Sequence, residues 1–327
     1  MSKNKNQKNK QTNDKKNKTG KKKYKIRNWR EYNESLKKRG MLDVYLDECV
    51  LEDWYAKPNG KRGAQSVYSD LAIQITLQFG KIFRQKFRQT EGLVISLFKL
   101  MDINLKVPDF STLSRRSEEI SVNMPKKDKE GIVAVVDSSG LKVFGEGEWK
   151  VRKHGYSKRR TWRKIHLMIT PDGEIRAADL TANSVADSDT INSLFKQEKA
   201  NIDTFAGDGA YDTRKVYDAC INRKVKKILV PPQRNAKIFQ HGNTKAKPHP
   251  RDENLRTIRK ISRKKWKERS GYHVRSLSET AMFRFKTIFG DKLNARKLKR
   301  QKTEFLISIS ILNKMTSFGM PDSYPVV

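Results

Sequence analysis

Hydrophobic periodicity divides the chain into two kinds of segment. From Tyr24 to about Met124, apolar residues recur at spacings of three and four, the pattern of amphipathic helices. Asn28 to Gly40 reads as a short helix closed by its glycine. Ser69 is placed to cap a helix bearing Ala72, Ile73, Leu77 and Phe79. Thr90 is placed to cap another bearing Leu93, Val94, Leu97, Phe98 and Met101. Val107 to Ile120 predicts a turn, a cap at Ser111 and a basic helix exposing Arg115 and Arg116. Pro125 to Glu130, with Lys126, Lys127 and Lys129, reads as a linker.

At Gly131 the period changes. Ile132 to Val136 is an unbroken apolar run, as expected of a strand buried on both faces, and it leads into Asp137. Lys164–Thr170 and Glu174–Leu180 predict a hairpin around Pro171-Asp-Gly173. A helix over 187–200 follows, then a second buried strand, Ile202–Ala206, running to Asp208. A helix to about Arg223 and a strand at Lys227–Val230 end at Pro231-Pro232. Tyr272 to Lys286 reads as a helix, with Val274, Leu277, Ala281, Phe285 and Ile288 on one face. Tyr272, Arg275, Glu279 and Lys286 line the opposite face. A last helix over 304–318 places Phe305, Leu306, Ile309 and Leu312 together. The expected organisation is an all-helical DNA-binding module (24–124), a linker (125–130) and a mixed α/β core (131–318), then a short C-terminal tail (319–327). Asp137 and Asp208 each follow a buried strand, where α/β folds place their sites.

Charge adds a partner. Lys and Arg number 71 against 36 Asp and Glu, a formal net charge of +35. Such an excess opposes compaction unless a polyanion shares it, and DNA or RNA is the natural candidate. Residues 1–23 hold ten Lys and one acid and read as a disordered basic tail. Lys150 to Lys164 holds eight basic residues and no acid, which makes Arg159, Arg160 and Trp162 candidate nucleic-acid contacts. Residues 231–269 hold thirteen basic and three acidic residues with little periodicity, so 231–270 reads as a solvated or nucleic-acid-facing loop. No apolar run reaches a membrane span, no signal-peptide core is present, and no basic helix has a broad apolar face. A soluble, cytoplasmic, nucleoid-associated protein is expected. Cys49 and Cys220 stand alone, without zinc spacing.

Asp137, Asp208 and Glu279 are 71 (208 − 137) and 71 (279 − 208) residues apart. Three carboxylates without His or Cys suit Mg²⁺ or Mn²⁺ rather than zinc, and two such ions would serve phosphodiester chemistry. Each acid also has an ordinary reading. Asp137 and Asp208 are well placed to brace turns, and Glu279 to pair with Arg275 at i,i+4 on a solvated face.

The residues themselves carry a family resemblance. Tyr272, Arg275, Glu279 and Lys286 match the Y-x2-R-x3-E-x6-K signature of bacterial insertion-sequence DDE transposases. Val135-Val-Asp-Ser-Ser-Gly-Leu141 and Phe205-Ala-Gly-Asp-Gly-Ala-Tyr-Asp212 resemble the two aspartate blocks, with Ser138 or Ser139 where Thr is usual. Trp162-Arg-Lys-Ile-His166, Asn28–Asn33, Phe87–Leu93 and Val107–Arg116 are similar to blocks of the insertion sequence five family. The likeness spans about 26–315. It implies an RNase H-like core with Asp137 on its first strand, Asp208 after its fourth and Glu279 on the helix after its fifth. It further implies that Asp137, Asp208 and Glu279 are catalytic and hold two Mg²⁺ or Mn²⁺ ions. Tyr272, Arg275 and Lys286 would contact transposon-end phosphates. The implied activity is strand cleavage at terminal inverted repeats and strand transfer to target DNA, by at least a homodimer assembled on double-stranded DNA. A noncatalytic DNA-binding protein, such as a decayed or domesticated copy acting as repressor, is one alternative; a structured-RNA binder is another. With polar and apolar stripes nearly opposed, Glu279 is expected to reach the aspartates only around the helix edge.

Overall fold

The computed structural model describes residues 23–46, 48–58, 60, 62–63, 65–143, 162–240 and 248–326. The basic tail up to residue 22, Arg159 and Arg160 lie outside the described residues. Strand β1 (Lys23–Ile26) pairs antiparallel with β8 (Ser323–Val326), with Lys25 opposite Tyr324. Residues 323–326, expected in a tail, are therefore part of a ribbon. Pairing across three hundred residues leaves no periodic trace in either short stretch.

Five helices follow β1: α1 (Trp29–Lys38), α2 (Glu48–Glu52), α3 (Asp70–Ile82), α4 (Phe87–Leu100) and α5 (Phe110–Arg116). Ser69 caps α3, its Oγ accepting the Ala72 N–H at 3.0 Å. The other two expected caps shift. Asp109, not Ser111, caps α5, accepting the N–H groups of Ser111 and Thr112 at 2.8 and 2.9 Å. Hydrogen bonds from Ser111 and Thr112 hold its carboxyl far below the usual range. Thr90 lies inside α4, buried against Gly80 of α3. A Cβ at Gly80 would stand 2.4 Å from Thr90 Oγ1, so the glycine allows the two helices to meet.

The core is a six-stranded mixed sheet. Its spine, β2 (Gly131–Val143), is antiparallel to β3 (Trp162–Ile169), which is antiparallel to β4 (Ile175–Ala182). On the other side, β5 (Asn201–Ala206) runs parallel to β2 and β6 (Lys227–Leu229) parallel to β5. The short β7 (Lys292–Leu293) pairs with the far end of β2. Alternation divides β2 between two cores. Ala134 and Val136 pack with α6 (Ile191–Lys196) and α7 (Arg214–Asn222). Val135 and Leu141 face the other core, which includes residues of α9 (Arg263–Ser270), α10 (Ser276–Phe289) and α11 (Leu298–Ser317). The expected loop over 231–270 is corrected: it holds α8 (Pro250–Ile261) and α9. Their anchors, Leu255 and Trp266, are sparse among the basic residues, which hides the period. A buried pair secures α8: Arg251 Nε and Nη2 donate to Asp212 at 2.7 and 3.1 Å.

The helical segment is not an independent all-helical module. Besides β1, it shares a core with the last helix: Ile73, Leu113 and Ile120 pack with Ile307, Ile311 and Met315 of α11. Gln78 Nε2 donates to Ser310 Oγ at 2.9 Å, and Lys81 pairs with Glu304 at 2.8 Å. On its other face α11 buries Phe305, Ile309 and Leu312 against the sheet. Being apolar on two sides, this helix joins the parts. Among the described residues, no helix is long and apolar enough to cross a membrane.

Candidate active site

Asp137 lies at the middle of β2 and Asp208 two residues beyond β5, and the parallel register of these neighbouring strands, with Val135 opposite Ala206, brings both acids to the edge of the sheet where β5 ends. Asp208 opens a 3₁₀ turn, Gly209–Tyr211, and accepts the Ala210 N–H at 2.9 Å. Burial raises its pKa, the charges of Asp137 and Asp187 add to the rise, and the Ala210 N–H and Arg275 oppose it. Asp137 accepts the Ser138 N–H at 2.9 Å through Oδ1 and the Ser278 hydroxyl at 2.8 Å through Oδ2. Arg275 Nη2 lies 3.6 Å from Oδ2.

Glu279 is placed differently. Its side chain is 62% exposed, against 13% for Asp137, and Arg275 Nη1 holds it at 2.5 Å. Arg275 therefore stands between the two acids. Among the described residues, no three His, Cys, Asp or Glu side chains are gathered to hold a metal ion. Glu279 lies on the polar stripe of its helix, opposite the buried Ala281 and Phe285. Tyr272–Arg275 is a 3₁₀ turn, and α10 begins only at Ser276. The tighter turn rotates Tyr272 away from the expected stripe, because 3₁₀ and α periodicities differ. Ser278, 1% exposed, is the first-turn residue turned to the sheet, and Glu279, one residue on, points outward. Tyr272 is buried, its ring 5.8 Å from that of Trp266. Burial, opposed by Arg275 and helped by the charges of Asp208, Asp137 and Glu279, pushes its phenol up to about 12. Lys286 Nζ donates to Ser139 Oγ at 2.7 Å, so this lysine reaches β2 two residues past Asp137.

A fourth acid escapes the sequence reading. Asp187 Oδ2 accepts the Ser138 hydroxyl at 2.8 Å, while Oδ1 pairs with Lys164 Nζ at 3.2 Å. Its place in Ala186-Asp-Ser-Asp189 resembles a helix start. The available signal was topological: β4 runs parallel to β2, and the turn after β4 returns to the same edge. Beside it His166 is fully buried, and burial lowers its pKa against the pull of Asp187 and Asp179. The buried Tyr211 hydroxyl, which has no hydrogen-bond partner among the described residues, also feels Asp187, Asp137 and Asp208.

The outer candidates separate. Arg116 is not exposed: it donates to Tyr68 O at 2.9 Å and pairs with Asp70, tying α5 to α3. Arg115 is exposed and lines a groove of about 760 Å³ with Lys86, Arg88, Phe110, Lys297 and Arg300. Glu118 neutralises part of that groove, ion-paired through Oε1 with Lys297 Nζ at 3.0 Å and Arg300 Nε at 2.7 Å. Trp162 is half-buried and covers Gly140, where a Cβ would stand 3.2 Å from its ring.

The donor chemistry of Asp137 and Asp208 fits a hard divalent cation: two carboxylates, one with its pKa raised partly by the other's charge. Glu279, in its present pairing, fits only after leaving Arg275. Residues 128–314 match a family model described as transposase DDE domain, and residues 37–146 match a second model of that description. The longer match contains the whole six-stranded sheet together with Asp137, Asp208, Glu279 and Lys286. The shorter one runs from the helices into β2.

Proposed function

The chain belongs to the transposase DDE domain family, and from that premise we propose that it is the transposase of a bacterial insertion sequence of the insertion sequence five type. Its sheet is compatible with an RNase H-like core. The observation that carries the reading is the pair Asp137 and Asp208, held at one sheet edge within each other's field. The protein binds the terminal inverted repeats, hydrolyses the end phosphodiester and joins the freed 3′-OH to target DNA. Two ends per reaction call for a homodimer on the DNA.

Asp137 and Asp208 would hold divalent cations, Mg²⁺ or Mn²⁺, which when bound would supply activation of the attacking oxygen and stabilisation of the leaving one. The chain's own residues prepare for this. Ser278 orients Asp137, and the N–H of Ala210 orients Asp208. Arg275 exchanges its carboxylate partners for the DNA phosphate, which frees Glu279 to complete the acid set. Lys286 offsets charge developing on that phosphate.

The outward position of Glu279 favours one other reading, a DNA-binding protein that does not cleave. Incubating the chain in Mn²⁺ with a duplex bearing the element's inverted-repeat end separates them. Cleavage that disappears in Asp137→Ala, Asp208→Ala and Glu279→Ala is the expected result. Tight binding with no strand cleavage supports the second reading.

A further inference from the structure

Helix α9 carries Arg263, Lys264, Lys265, Lys267 and Arg269 against Glu268, a formal +4 (5 − 1) in eight residues. None of the ion pairs among the described residues includes any of these cations. Elsewhere some surface cations are shared with acids, such as Lys297 and Arg300 with Glu118, Lys215 with Asp189 and Lys226 with Asp203; what sets α9 apart is five cations against one acid on a single eight-residue helix. The geometry around α9 is also specific. Ser262, at φ 75°, separates it from α8, and Gly271, at φ 76°, turns the chain into Tyr272. The buried residue of α9 is Trp266, and its ring packs on Tyr272. Lys267 Nζ lies 5.2 Å from the Tyr272 ring centre. Tyr272 in turn begins the 3₁₀ turn that delivers Arg275 to Asp137. The uncompensated cationic helix is thus mounted directly on the turn that shapes the acid site.

Like charges at this density repel one another and destabilise the helix unless a polyanion is close. A helix of eight residues is about 12 Å long and spans two to three phosphates of one strand. We propose that α9 is a DNA-backbone surface in its own right. Lys264, Lys265, Lys267 and Arg269 grip the duplex beside the reacting phosphate, and the Trp266–Tyr272 stack fixes that grip relative to Asp137. The position of the reacting phosphate rests on the transposase reading; the binding surface rests on the charge and placement of α9.

The test is lysine acetylation of the full chain, read by mass spectrometry, with and without a 30-base-pair duplex DNA. Lys264, Lys265 and Lys267 are expected to lose reactivity several-fold on DNA binding, with Lys37 of α1 as reference. In parallel, Lys264→Gln, Lys265→Gln, Lys267→Gln and Arg269→Gln are combined, and circular dichroism verifies the fold. The slope of log affinity against log salt is expected to become shallower by about 2–3, since each of the two to three lost phosphate contacts removes about 0.9. Unchanged reactivity with an unchanged slope overturns the proposal, as does stronger protection by duplex RNA of equal length. Protection in a chain that never cleaves in Mn²⁺ upholds α9 and removes the transposase reading. Cleavage with unprotected lysines does the reverse.

Discussion

Ser278 Oγ donates to Asp137 Oδ2 at 2.8 Å, so the residue that ties the glutamate-bearing helix to the first aspartate is the neighbour of Glu279. Ser278→Ala removes a buried hydroxyl and leaves Asp137 with one partner fewer. A loss of about 1 kcal/mol is expected in urea denaturation. Cleavage is expected to fall more than stability does, because an unheld carboxylate loses its orientation. Equal activity in the two proteins, measured as single-turnover cleavage, counts against a positioning role.

Arg275 stands between Asp137 and Glu279 and supplies the positive charge there. Arg275→Gln is expected to bind Mn²⁺ more tightly in the absence of DNA, by electron paramagnetic resonance titration, since a competing cation is gone. The same variant is expected to bind DNA ends more weakly. Weaker Mn²⁺ binding in the variant contradicts this account.

The pKa of Asp208 is raised, chiefly by burial and next by its acidic neighbours. The folded state thus retains a proton that the unfolded chain gives up at the ordinary carboxylate value. Between the two values the folded state binds more protons, so stability declines as pH rises through that window. Asp208→Asn removes this decline. The stability advantage of the variant over the natural chain, from urea midpoints at stepped pH, is expected to grow with pH across the window and then level off.

Arg251 and Asp212 form a buried, doubly bonded pair between α8 and the turn after β5. Breaking one side leaves the other charge buried, and Arg251→Met is expected to cost about 3–5 kcal/mol. Replacing both, Arg251→Met with Asp212→Leu, is expected to recover most of that loss in thermal unfolding.

Ile311 is fully buried between α11 and the helical segment. Ile311→Ala is expected to cost about 2–5 kcal/mol. It should shift one cooperative unfolding transition rather than release the helices first. Two separate transitions by calorimetry argue for an independent helical module.

Much of this molecule is legible along the chain, and the reasons are local. A strand buried on both faces needs an unbroken apolar run, so Ile132–Val136 stands out; Ile202–Ala206, interrupted by Asp203 and Thr204, is plainer at its end, where Phe205 and Ala206 lead to Asp208. The spacing from Tyr272 to Lys286 is equally plain as a pattern of residue types. Where pairing or packing links distant segments, the chain is silent. The β1–β8 ribbon, the second apolar face of α11 and the helices hidden between 250 and 270 are of this kind.

By itself, then, the sequence determines much of the alternation of helix and strand, the place of Asp208 just after a strand, and a charge that demands a polyanion. The strand expected to end at Asp137 instead runs on to Val143, because β3 and β7 pair with its second half. Only the tertiary structure decides which side chains meet. Glu279 keeps the outward place opposite Ala281 and Phe285 that the stripes of its helix imply and pairs with Arg275, whereas the contact of its neighbour Ser278 with Asp137 comes only from the packing of α10 on the sheet. Asp187 joins the same edge through the fold of β4. Strand order and the docking of helices on the sheet are properties of the assembled backbone, and residue spacing alone does not encode them.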